Sequence, residues 1–91
     1  MGSLKILKMY NSEYSDDFKR ILKKIYKKDR VLYERIKKKI YEICENPEHY
    51  KPLGNILFGL RRTHIGSLVL TFKFTNNIIY FVSLKHHDEA Y

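Results

Sequence analysis

Two groups of residues in this 91-residue chain are equipped for chemistry: the pair Arg61-Arg62 and the closing cluster His86, His87 and Tyr91. A guanidinium grips a phosphate through two parallel N–H donors. An imidazole, with an ordinary pKa of about 6.5, takes or gives a proton at neutral pH, which a lysine normally does not. Tyr91 adds a ring that can stack on a base and a hydroxyl that can reach a phosphate. Arg61 and Arg62 fall in an expected strand, where alternation sends them to opposite faces, so one of them points to the open side of the sheet. The sequence does not separate His86 from His87. Lys51, in a polar loop, is a further cation able to steady an anionic transition state. His49 and His64 read as ordinary surface histidines.

The charge balance points the same way. Eighteen Lys and Arg against ten Asp and Glu give a formal net charge of +8, which predicts a polyanion or an acidic protein as partner. Lys19, Lys23 and Lys27 repeat at i, i+4, as do Arg20, Lys24 and Lys28, and Lys37 and Lys38 follow. Like charges at that spacing destabilise an isolated helix, so so dense a run is expected to lie against phosphate rather than only against water. The single Cys44 excludes an internal disulfide framework and a multi-cysteine zinc site, and it reads as a small buried hydrophobe. No run approaches the roughly 18–20 apolar residues needed to span a bilayer, and no signal peptide is visible, so a cytoplasmic location without membrane contact is expected.

The elements that must position these groups are legible in turn. Leu4–Tyr10 reads as a strand closed by the turn chemistry of Asn11-Ser12. Ser15 caps a first helix with Asp16 and Asp17 in its first turn, and Phe18, Ile21, Leu22, Ile25 and Tyr26 form its apolar stripe. Asp29 caps a second helix, whose stripe is Leu32 or Tyr33, then Ile36, Ile40 and Ile43, and Asn46-Pro47 ends it. So short a link makes the two an antiparallel hairpin. A polar loop spans Glu48–Asn55. Four apolar runs follow: Ile56–Phe58, Leu60–Ile65, Ser67–Phe74 and Ile78–Leu84. The first two can join through a bulge at Gly59, and Thr75-Asn76-Asn77 is a hairpin turn. The order β-α-α-β-β-β defines one α+β domain over residues 1–91, a helical hairpin on one face of a twisted, mainly antiparallel sheet. Met1-Gly2-Ser3 reads as a possible cloning remnant and plays no part in this fold.

With a lysine-rich helical hairpin preceding a twisted sheet, this order resembles the RelE/ParE toxin superfamily, in particular its RelE-like branch. Leu53-Gly54 followed by Gly59-Leu60-Arg61-Arg62-Thr63-His64-Ile65-Gly66 is similar to the family's Leu-x-Gly and Arg-x-Arg-x-Gly segment. His86-His87-Asp88-Glu89-Ala90-Tyr91 is similar to its closing Gly-His-Arg-x-x-x-Tyr. His64 stands where a second arginine is common, and His87 replaces the arginine of the terminal pattern.

The resemblance implies a ribosome-dependent messenger-RNA endonuclease that inhibits translation. In that reaction a 2′-hydroxyl attacks the neighbouring phosphate and expels the 5′-oxygen, without a cofactor or a metal. It assigns the catalytic work to Arg62, His86, His87, Tyr91 and Lys51, and RNA contact to Arg61, Lys19, Lys23, Lys24, Lys27, Lys28, Lys37 and Lys38. It also implies an acidic RelB-like antitoxin as partner, in a complex that can bind operator DNA. The alternatives are a ParE-like inhibitor of DNA gyrase, acting by protein binding alone, and an inactive relative that serves only as a binding or repressor component.

Overall fold

The computed structural model describes residues 9–50, 52 and 59–90. Within them the chain runs β1 (Asn11–Tyr14), α1 (Asp16–Lys28), α2 (Arg30–Glu45), a 3-10 turn at Pro47–His49, β2 (Leu60–Ile65), β3 (Leu68–Thr75), β4 (Ile78–His86) and a short α3 (His87–Ala90). The strands form one sheet in the order β1-β4-β3-β2. β2, β3 and β4 pair antiparallel, and β1 joins β4 in parallel. The expected α+β architecture is therefore present, with one parallel edge.

The caps are where turn chemistry puts them. The Ser15 hydroxyl accepts from Phe18 N at 3.0 Å and donates to the Val82 carbonyl at 2.8 Å, so one side chain starts α1 and ties it to β4. Val82 is the extra residue of a bulge: Thr71 pairs with Ser83 but Phe72 with Phe81. A bulge leaves its residue out of the ladder, which frees that carbonyl. Asp29 serves both helices. Its N–H donates to the Ile25 carbonyl, and its carboxylate accepts from Leu32 N at 3.0 Å. Asn76 and Asn77 take φ of 52° and 61°, the left-handed pair that a tight hairpin demands.

The helices cover one face of the sheet. Phe18, Ile36, Ile40, Ile43 and Cys44 pack on Leu68, Leu70, Phe72, Ile79, Phe81 and Leu84, with Tyr14 edge-on to Phe81 at 5.2 Å. Three fully buried side chains, Phe18, Phe72 and Phe81, form the centre, and at roughly 25 cal/mol per Å² such rings supply much of a small core's stabilisation.

The turn expected at Asn11-Ser12 needs correcting. β1 lies at Asn11–Tyr14, where a turn was expected, and Leu4–Lys8 lies outside the described residues. The segment is mostly exposed and short of apolar residues. What makes it a strand is its pairing with β4, from Asn11 on Ile78 to Tyr14 on Phe81, a long-range relation that local pattern does not carry. The Ile56–Phe58 run also lies outside the described residues, and the C-terminal tail includes a helical turn.

Candidate functional site

Alternation and register sort the candidate side chains onto the two faces of the sheet. Arg61 pairs with Phe72, a core residue, and so faces the helices. Its Nη1 donates to the Tyr50 carbonyl at 2.6 Å, and its Nε is buried. The guanidinium thus clamps the chain after α2 to β2. Arg61 therefore does not share the face on which Arg62 lies.

Arg62 pairs with Thr71, and Thr71 with Ser83, on the face away from the helices. Two residues on, His64 pairs with Val69, and Val69 with Lys85, on that same face. Val69 is buried although it points away from the core.

The two closing histidines separate. β4 ends at His86, which pairs with Leu68 on the helix side and lines a crevice with Ile21, Lys24, Ile25 and Lys28 of α1. At His87 the chain turns into α3. The His87 N–H donates to the Ser67 carbonyl at 2.9 Å, fastening the start of α3 to the β2–β3 turn. The His87 ring stacks on His64 with centroids 5.8 Å apart and planes inclined by 30°. The Asp88 carboxylate lies 3.9 Å from His87 Nδ1. Arg62, His64 and His87 therefore share one side of the sheet, and His86 lies on the other. Tyr91 and Lys51 lie outside the described residues.

His64, expected to be an ordinary surface histidine, is placed beside His87 and on the Arg62 face. The signal was available: two positions beyond Arg62 in one strand is the same face. His49 stays apart from this face in the 3-10 turn, edge-on to the Tyr50 ring at 5.1 Å.

The helical cations do not form a single surface. Lys19, Lys23 and Lys27 border an apolar groove floored by Leu22, Tyr26 and Tyr33. Lys24 and Lys28 border the crevice that holds His86. Lys37 stands 5.8 Å above the Tyr33 ring. Lys38, with Arg35 and Lys39, lines a cleft that reaches His64. Among the described residues no cluster of three or more His, Cys, Asp or Glu is arranged to hold a metal ion, and no helix is long and apolar enough to cross a membrane.

Comparison with known proteins agrees with this architecture. Residues 12–91 match the family of ParE toxins of the type II toxin–antitoxin system parDE. A protein of Methanocaldococcus jannaschii named "Putative toxin RelE4" is 38% identical over 86 residues, covering 91% of this chain and 92% of its own. Among solved structures, the YoeB–YefM complex of Staphylococcus aureus superimposes with a TM-score of 0.72 at 18% identity, over 86% of this chain and 97% of that one. The E. coli DinJ–YafQ toxin–antitoxin complex gives 0.70 at 21%, over 91% and 98%. The chain belongs to the ParE toxin family of type II toxin–antitoxin systems, and its fold is that of the RelE-like toxins.

Proposed function

We propose that this protein is the toxin of a type II pair, an endoribonuclease that cleaves messenger RNA on translating ribosomes in the cytoplasm. The observation that carries this reading is the gathering of Arg62, His64 and His87 on one face of the sheet. Phosphodiester transesterification needs a proton acceptor, a proton donor and a cation for the phosphorane. Two imidazoles and a guanidinium are that set.

In the proposed reaction the 2′-oxygen bonds to phosphorus as its proton passes to one imidazole. The bond from phosphorus to the 5′-oxygen then breaks, and the other imidazole, entering protonated, gives its proton to that oxygen. Arg62 holds the non-bridging oxygens as their charge grows. Family resemblance adds Lys51 beside that charge and Tyr91 against a base. An acidic RelB-like antitoxin is the proposed partner, and the +8 charge favours its approach.

The test is to map messenger ends in translating extracts with the wild-type protein and with Arg62→Ala. New ends that depend on ribosomes and vanish in the variant are expected. Intact messengers beside inhibited DNA supercoiling would instead identify a gyrase poison.

A further inference from the structure

Between α2 and the β2–β3 turn lies a cleft of about 300 Å³ lined by Arg35, Lys38, Lys39, Glu42, His64, Ile65 and Gly66. Glu42 pairs with Lys39 at 3.3 Å. Arg35 and Lys38 have no ion-pair partner among the described residues, so the cleft keeps their positive charge. The Arg35 guanidinium runs along the turn at Gly66, where a side-chain carbon would lie 3.7 Å from Nη1 and 3.8 Å from Nη2. Gly66 holds φ +61°, a conformation that glycine adopts without strain.

We propose that this cleft is a second phosphate subsite, which takes a backbone phosphate of the ribonucleotide strand flanking the one held at Arg62. The inference rests on the reading of the Arg62 face as a ribonucleotide site. His64 joins the two places: its ring stacks on His87 and it also lines the cleft. β2 is an edge strand, so a strand leaving the Arg62 face past His64 meets Arg35 and Lys38 next. The walls suit phosphate better than an acidic protein segment. Protein interfaces carry an apolar core, and Ile65 is the one apolar side chain here, whereas the apolar groove of Leu22, Tyr26 and Tyr33 lies elsewhere. A forked guanidinium beside an ammonium is a phosphate-binding combination.

The test is fluorescence anisotropy of the full-length protein with labelled 2′-O-methyl oligouridylates, which cannot be cleaved, from dinucleotide to hexanucleotide. Wild-type affinity should rise with length. The Arg35→Gln/Lys38→Gln double variant should bind the dinucleotide as wild type does and the hexanucleotide about tenfold more weakly. Its log–log salt dependence should be shallower by about 0.7, the value of one single-strand phosphate contact. Lys38→Glu, a second probe on an exposed residue, should exaggerate the same length-selective loss.

A wild type without length dependence, or an equal loss at every length, would overturn the subsite. So would a glutamate-rich peptide of equal charge that competes as well as the hexanucleotide, which would make the cleft an acidic-protein surface. Unchanged oligonucleotide binding with weakened binding to vacant ribosomes would assign the phosphate to ribosomal RNA and overturn the substrate-strand form. The dinucleotide reports on Arg62 separately: if Arg62→Ala leaves its affinity unchanged, the Arg62 reading fails while the length-dependent increment still reports on the cleft.

Discussion

The imidazole of His64 stands on β2 and that of His87 on the first residue of α3, just past β4, a strand that is not β2's neighbour in the sheet, yet the two rings stack at 5.8 Å. The register on β2 fixes one ring. The hydrogen bond from His87 N to the Ser67 carbonyl fixes the other. The β2–β3 turn is thus the common support of both.

Residues that act as a unit lose activity non-additively. His64→Ala and His87→Ala are each expected to lower cleavage by about 100-fold or more, in the usual range for general acid–base catalysis. The double variant should be little worse than either single one. Single-turnover rates on programmed ribosomes decide it; two independent, multiplying losses would show that the rings do not work together.

Adjacent arginines should behave oppositely. Arg62→Ala is expected to abolish cleavage while the protein remains folded, because the side chain faces away from the core. Arg61→Met removes the hydrogen bond to the Tyr50 carbonyl and should cost about 1–3 kcal/mol of stability, with activity per folded molecule retained. Urea unfolding alongside the cleavage assay separates them, and an inactive but fully stable Arg61→Met would refute the assignment.

Ser15 can be dissected because its hydroxyl does two things. Ser15→Asp keeps the cap acceptor for Phe18 N but loses the donor to Val82, whereas Ser15→Ala loses both. The expected order of stability is wild type, then Asp, then Ala, with Ala about 1–2 kcal/mol below wild type. Equal losses for the two variants would mean that the bond to Val82 contributes nothing.

Alkali should weaken the fold. Burial raises the Cys44 thiol above its ordinary value. It raises the Tyr14 and Tyr50 hydroxyls too, with smaller contributions from the nearby Cys44 and Glu42 respectively. The unfolded chain releases these protons first, from about pH 8.5 for cysteine and about pH 10 for tyrosine. The stabilisation is therefore complete below those values and is lost as pH climbs through the raised folded values. Urea midpoints are expected to be flat between pH 7 and pH 8 and to fall above about pH 9, with Cys44→Ala delaying the onset. A midpoint unchanged to about pH 10.5 would contradict this.

What could be read from the sequence divides by range. Ser15, Asp29, Asn46-Pro47 and Asn76-Asn77 mark element ends correctly because caps and tight turns are decided within about four residues. Alternation separated Arg61 from Arg62. It would have put His64 with Arg62 had the same rule been carried two residues further. The turn expected at Asn11-Ser12 is instead part of a strand, because Asn11–Tyr14 owes its extended form to a partner more than sixty residues away. His86 and His87 stayed unresolved because the end of β4 between them depends on the His87 bond to Ser67, another distant partner.

The sheet order has a consequence for biosynthesis. β4 lies between β1 and β3, and Ser15 anchors α1 to it at Val82. Everything made earlier, including the helices, waits for this late segment before the core can close, and non-local closure of this kind is slow. A nascent chain emerging from the ribosome therefore lacks both the sheet and the His87 that sits beyond it. The core therefore closes only once β4 is available to β1, β3 and the helices.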